Sequence, residues 1–261
     1  MAGWTDAHNH LQDARLGDCA PLIAAMRGAG VGQCMVNATR ENDWPAVEAL
    51  VLAEPDLVVP AFGIHPWYAH GVTDGWQDRL TAMLEKHPLA SIGECGVDPW
   101  VSSPSMAIQR PVFREQLRLA SELKRVLTIH CLKAWGALFE ILAEQPPPRP
   151  FLMHAFGGSI ETARRLIPQG AYFSFSGHFL HERKSSVLEV FRQLPRERIL
   201  LETDAPEMRP PNDHVTHPMS EHLNHPANLP SIGRAFAAAL GMSATHLEDL
   251  TRDNAARCFG L

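Results

Sequence analysis

The chain has 261 residues, of which 45% are hydrophobic and 20% charged, and its formal net charge is −6. That balance supports a large folded core and argues against both a disordered chain and a broad cationic track for duplex nucleic acid. No run of about 18 apolar residues occurs, so no membrane span is expected. The start has no basic stretch followed by an apolar run, so no secretory leader is expected. The five cysteines, Cys19, Cys34, Cys95, Cys131 and Cys258, are scattered and odd in number. They fit reduced thiols in a cytoplasmic protein better than a disulfide framework.

Strand-like and helix-like runs alternate from end to end. The pattern predicts a strand over 4–8, a helix over 19–29, a strand over 33–38, a helix over 43–53 and a strand over 57–64. It continues with a helix over 75–87, a strand over 90–95, a helix over 105–123, a strand over 126–130 and a helix over 134–144. Strands over 151–154, 171–175 and 199–203 then alternate with helices over 159–167 and 184–193. Helices near 231–240 and 245–250 and a short terminal turn complete the chain. Most of the strands are short apolar runs, as expected of parallel strands buried on both faces. Eight such strands alternating with helices predict an α/β fold, a single-domain (β/α)8 TIM barrel over 1–261, rather than an open sheet. Two stretches break the rhythm. The Pro-rich run 145–150 reads as a stiff connector. The Pro- and His-rich segment 206–230 follows the last strand, so it should lie over the catalytic face as a lid or binding loop.

Six metal-binding side chains fall at the ends of these strands: His8 and His10 in Asp6-Ala7-His8-Asn9-His10, Glu94, His130, His154 and Asp204. Any one of them has an ordinary structural explanation: a surface pair of histidines, a salt-bridged glutamate, a satisfied core histidine. Six together at the carboxyl ends of strands one, four, five, six and eight point instead to one face carrying one or two divalent cations. Side chains alternate along a strand, so His8 and His10 can enter the same cavity. Asp204 suits both metal contact and general-base work, since a carboxylate beside a cation stays ionised at neutral pH. Glu202 faces the same way, one step behind it. His65, after the third strand, faces the pocket mouth as a candidate substrate contact. Asp98 is either a contact in the same pocket or a helix cap. Cys95 and Cys131 should turn away from the cavity. His178, His181, His214, His217, His222 and His225 gather near the last two strand ends, mostly as loop residues.

The motifs Asp6-Ala7-His8-Asn9-His10-Leu11, Gly63-Ile64-His65-Pro66, Ile92-Gly93-Glu94-Cys95-Gly96-Val97-Asp98, His154-Ala155-Phe156-Gly157-Gly158 and Leu201-Glu202-Thr203-Asp204-Ala205-Pro206 accompany the run 109–119 and the close Asn254-Ala255-Ala256-Arg257-Cys258-Phe259-Gly260-Leu261. Together they resemble the TatD family of metal-dependent deoxyribonucleases, of the amidohydrolase-like superfamily, over nearly the whole chain. The resemblance implies two metals: one on His8, His10 and Asp204 with Glu94 bridging, the other on Glu94, His130 and His154. The family's usual Arg after the fifth-strand His is here Leu132, followed by Lys133, and its Asn-Glu-Pro is here Asn224-His225-Pro226. Lysine cannot reproduce the bidentate grip of arginine on phosphate.

The expected function is therefore a cytoplasmic hydrolase with two divalent ions (Zn, Mn or Mg). It would cleave phosphodiester bonds through a metal-activated water, as an exonuclease-like DNase on single-stranded or end-frayed DNA. Asp204 and Glu94 are the expected catalytic carboxylates, and His65, Asp98 and Lys133 the expected substrate contacts. Two other functions compatible with the residues are a small-molecule amidohydrolase or phosphoesterase and a non-catalytic, metal-stabilised barrel that binds a protein partner. The altered substrate shell favours the former somewhat.

Overall fold

A computed structural model describes residues 3–148, 150–220 and 222–261. Arg149 of the expected connector and Glu221 of the expected loop therefore lie outside the described residues. The parallel strands β1 (Trp4–Asn9), β2 (Val31–Asn37), β3 (Val58–Phe62), β4 (Ser91–Val97), β5 (Leu127–Cys131), β6 (Phe151–Met153), β7 (Ala171–Ser176) and β8 (Ile199–Glu202) follow one another around the sheet in chain order. Between them run α1 (Cys19–Ala29), α2 (Trp44–Ala53), α3 (Trp76–Lys86), α4 (Met106–Leu123), α5 (Trp135–Glu144), α6 (Ile160–Leu166) and α7 (Ser185–Gln193). After β8 come α8 (Leu229–Ala239) and α9 (Ala244–Phe259). This is the predicted TIM barrel.

Local sequence explains the punctuation. Asp18 caps α1 by accepting from the Ala20 N–H, and Gly30 ends it in the left-handed conformation. Ser243 caps α9 in the same way, accepting from His246. The expected short helix over 245–250 and separate terminal turn are in fact one 16-residue helix. Nothing in 250–258 breaks it, and its apolar side is bought into place by Asn254, whose Nδ2 donates to the Ile199 and Arg196 carbonyls at 2.8 Å each.

The seam between β8 and β1 is closed at the carboxyl end. The Asp204 N–H donates to the His8 carbonyl (2.9 Å) and the His10 N–H to the Ala205 carbonyl (2.7 Å). A buried carboxylate reinforces them: Asp6 accepts from the Thr203 N–H at 2.9 Å, the Thr203 hydroxyl at 2.5 Å and Asn9 Nδ2 at 3.1 Å. On the other side of the barrel, two buried glutamines of α4 clamp strand ends. Gln116 pairs with both the N–H and the carbonyl of Ile64, just after β3. Gln109 does the same for Asp98, just after β4.

The register of β4 on β5 shifts between Ile92 and Cys95, a bulge that re-aims the intervening Glu94. Beyond it, β4 and β5 approach so closely at Gly96 that no side chain fits. Its φ is +137°, and an added Cβ would lie 2.0 Å from the His130 carbonyl oxygen. The loop over 206–230 does return to the carboxyl face, but it is folded rather than irregular. Asn224 donates to the Thr203 carbonyl (2.9 Å), and Asn228 accepts from the Thr216 and His217 N–H groups (2.9 and 2.8 Å).

All five cysteines are free thiols. Among the described residues, no helix is long and apolar enough to cross a membrane. Replacing Gly96 by Ala combines a left-handed backbone with an unavoidable clash, each costing about 1–3 kcal/mol. The variant is expected to lose about 2–5 kcal/mol of stability in denaturant unfolding. A loss under about 0.5 kcal/mol would contradict the close approach.

Candidate metal centre

Seven polar side chains meet above the carboxyl ends of the strands. The Nε2 atoms of His8 and His10 lie 3.2 Å apart, as strand alternation predicts. Each also faces two carboxylates: His8 Nε2 is 3.4 Å from Glu94 Oε2 and 3.5 Å from Asp204 Oδ1, and His10 Nε2 is 3.2 and 3.5 Å from the same atoms. The other Glu94 oxygen, Oε1, faces three imidazoles: His154 Nε2 at 2.7 Å, His130 Nδ1 at 3.0 Å and His65 Nε2 at 3.3 Å. His8 and His154 stack with ring centroids 4.0 Å apart, joining the two halves.

These separations can be tested against a cation. Four tetrahedral donors each about 2.1 Å from a zinc-sized ion would lie about 3.4 Å from one another. His8 Nε2 and His10 Nε2 lie 3.2 Å apart, and each is 3.2 to 3.5 Å from Glu94 Oε2 and from Asp204 Oδ1. His8, His10 and Asp204 therefore have the right size and the right chemistry to hold one ion, with Glu94 Oε2 beside the two imidazoles. Around Glu94 Oε1 the spacing is tighter, 2.7 to 3.3 Å, with His130 Nδ1 and His154 Nε2 3.1 Å apart. Among the described residues, the three-residue groupings that could hold an ion are His8–His10–Asp204, His8–Glu94–His154 and His65–Glu94–His130.

The ring orientations are fixed from behind. His10 Nδ1 donates to the Asn37 carbonyl at 2.7 Å. His130 Nε2 meets Asp98 Oδ2 at 2.9 Å, which turns its Nδ1 toward Glu94. This is how metal-ligating histidines are usually held. Glu202 lies 3.7 Å from His154 Nδ1, beyond hydrogen-bond range. It accepts instead from the Ala155 N–H at 2.8 Å and from the Ser174 hydroxyl. Asp204 and Ala155 both adopt positive φ, +51° and +41°. Each such conformation costs about 1 kcal/mol or more and is held by the backbone bonds of the barrel rim.

The electrostatics follow from burial. Burial opposes charge on Glu94, yet the imidazoles of His65, His154 and His8 hold its carboxyl well below the usual carboxylate range. Burial likewise works against Asp204, but His10 and His8 keep its pKa lowered. On His10, burial is outweighed by Asp204 and Glu94, and the pKa rises to about 10. Burial alone dominates at His65, which falls to about 4. The two carboxylates thus pull protons onto nearby imidazoles. A divalent cation satisfies the same field while leaving those imidazoles neutral. Below the seam, burial pushes Asp6 up to about 7 against its four donors.

Of the residues the sequence singles out, His8, His10, Glu94, His130, His154 and Asp204 all converge. His65 lies inside the donor cluster rather than at its mouth. Asp98, expected as a pocket contact or a cap, is fully buried. Its oxygens are occupied by His130, by Trp67 Nε1 (2.8 Å) and by the Trp100 N–H (2.8 Å), so it grips His130 from behind. Lys133 is exposed, with Nζ 4.5 Å above the Trp100 ring. Cys95 is buried against the Thr128 carbonyl, as expected, whereas Cys131 is only partly buried. His225 accepts from the Ala227 N–H, and burial lowers its pKa to about 4, so the residue in the usual Glu position is a neutral imidazole. The role of Asp6 is not singled out in sequence, although its spacing of two from His8 puts it on the same strand face. Removing the Thr203 hydroxyl from that carboxylate in Thr203→Val should cost about 1.5–3 kcal/mol. An unchanged melting temperature would contradict the seam described above.

Known proteins resemble this chain over most of its length. The family described as TatD related DNase matches residues 5–260. A 3'-5' ssDNA/RNA exonuclease TatD from Cronobacter sakazakii is 32% identical over 240 residues, covering 91% of this chain and 90% of that protein. An uncharacterized metal-dependent hydrolase, YabD, from Bacillus subtilis is 31% identical over 214 residues, 80% of each chain. The crystal structure of YjjV, a TatD homologue from Escherichia coli K12, aligns with a TM-score of 0.89 at 25% identity, covering 99% of this chain and 98% of that one.

Proposed function

This chain belongs to the TatD-related DNase family of metal-dependent hydrolases, and from that premise we propose that it hydrolyses phosphodiester bonds at the ends of single-stranded nucleic acid with two divalent cations. The observation that carries the reading is the split environment of Glu94. One of its oxygens faces His8 and His10, the other faces His65, His130 and His154. A single carboxylate so placed can bridge two ions. The first would be held by His8, His10 and Asp204, the second by His130 and His154, with His65 in reach of the same oxygen. A set this rich in imidazole favours zinc or manganese over magnesium. The exonuclease name of the relative from Cronobacter sakazakii supports a single strand as substrate.

Once bound, the cations supply Lewis-acid polarisation of the phosphate and lower the pKa of a water. The rest of the chemistry belongs to the chain. Asp204 directs Oδ1 at His8 and His10, so its Oδ2 is the natural acceptor for the proton of the attacking water. Glu94 keeps its negative charge through the imidazoles around it and so remains a ligand rather than a proton donor. Asp98 holds His130 in register, and Asn37 holds His10. Water's oxygen forms the new bond to phosphorus, the bond to the leaving sugar oxygen breaks, and that oxygen is protonated from solvent. Lys133 supplies a point charge near the phosphate in place of the arginine that Leu132 replaces.

Asp204→Asn is expected to lower kcat on a single-stranded oligonucleotide by about 10²- to 10⁴-fold, the range for loss of a general base. Retained turnover would remove Asp204 from that role. Metal analysis of the purified protein should find about two divalent ions per chain, falling to about one in His154→Ala. Chelation should abolish turnover until zinc or manganese is restored. A fully loaded protein that leaves single-stranded DNA and RNA intact would overturn the proposed reaction.

A further inference from the structure

The donor cluster does not account for two exposed indoles beside it. Trp100, in the turn after β4, is 66% exposed, and Trp67, in the turn after β3, is 40% exposed. Large aromatic faces left open to water at the edge of a polar cavity are uncommon without something to cover them. One carboxylate holds the Trp67 indole and the backbone of Trp100. Trp67 Nε1 donates to Asp98 Oδ2 and the Trp100 N–H donates to Asp98 Oδ1, each at 2.8 Å. Asp98 Oδ2 is also 2.9 Å from His130 Nε2, whose other nitrogen is 3.0 Å from Glu94. Trp67 further lies edge-on to His65, with ring centroids 5.3 Å apart. The Trp67 indole and the Trp100 backbone are therefore one carboxylate away from the donors. Lys133 places its ammonium 4.5 Å above the Trp100 ring, and Leu132 beside it is 39% exposed.

We propose that Trp100, flanked by Trp67 and Lys133, is a stacking platform for an unpaired nucleobase of the strand whose phosphate enters the donor cluster. The proposal rests on the nuclease reading above and adds what that reading lacks, a device that recognises the base rather than the phosphate. Every base has a π-face, so stacking on an indole is tolerant of sequence but requires a base freed from its partner. A duplex interior cannot supply one; a single strand or a frayed end can. Lys133 carries a compact charge on a flexible stem. It covers the indole in the free protein and swings to the adjacent phosphate as the base takes its place. The geometry thus compensates for the missing arginine: the substrate is held through its base, and a lysine suffices for the phosphate.

The test compares two oligonucleotides on the metal-loaded protein, oligo-dT and the same strand with abasic sugars at the terminal positions. Stacking contributions of the usual size predict a KM at least about fivefold lower for the base-bearing strand. Trp100→Ala should erase that preference, so that both strands share one KM, while metal content stays at the wild-type value. Trp100→Phe should retain most of it. A wild-type protein indifferent to the bases, or a Trp100→Ala variant that keeps the full preference, would overturn the platform. Should the wild-type protein cleave neither strand, the nuclease reading fails separately, and strand binding decides the platform. Fluorescence anisotropy on Asp204→Asn would then show tighter binding of oligo-dT than of the abasic strand, lost when Trp100→Ala is added. Equal binding of the two strands would sink it.

Discussion

A charged carboxylate buried without partners would be too costly to keep, and Glu94 is buried at the centre of this barrel. Its two oxygens are matched by five imidazoles drawn from four separate segments: His8 and His10 at the end of β1, His65 after β3, His130 on β5 and His154 after β6. Each of those segments must arrive at the correct height for the charge to be tolerated. The register shift in β4, the clamp of Gln116 on Ile64 and that of Gln109 on Asp98 are the means by which the strand ends are set. The candidate metal centre and the fold therefore share one requirement, which a divalent cation would meet while leaving every imidazole neutral.

The seam between the first and last strands serves the same end. Asp6 and Thr203 tie β1 to the end of β8 one layer below the donors. This brings His8 and Asp204, nearly the full chain apart in sequence, within 3.5 Å. The positive φ of Asp204 is a local cost carried by that closure. Asp204 and Ala155 carry that cost at the rim, and a barrel whose site lies on the loops beyond its strand ends lets the carboxyl face vary without endangering the fold.

The mouth of the site shows such variation. Leu132 and His225 replace charged residues usual in the family, and the loop after β8 is stapled by Asn224 and Asn228 and by the ion pair of Glu207 with Arg15. Opposite that loop, Asp98 joins His130 to Trp67 and Trp100. One carboxylate thus ties an imidazole of the donor cluster to the Trp67 indole and to the backbone of Trp100.

The sequence by itself determined the barrel and most of the candidate metal centre. Short apolar runs ending in His, Glu or Asp have a single economical explanation, because parallel strands buried on both faces can expose polar side chains only at their ends. That local rule places His8, His10, Glu94, His130, His154 and Asp204 on one face without knowledge of any contact. Only the tertiary structure decided what depends on how neighbouring strands are offset. It put His65 among the donors, turned Asp98 behind His130, made α9 one continuous helix and set Asp6 as the latch of the seam. It also gathered Trp67, Trp100 and Lys133 from three different turns. Turns have no periodicity from which a side chain's direction can be read, and their residues meet only when the barrel has closed.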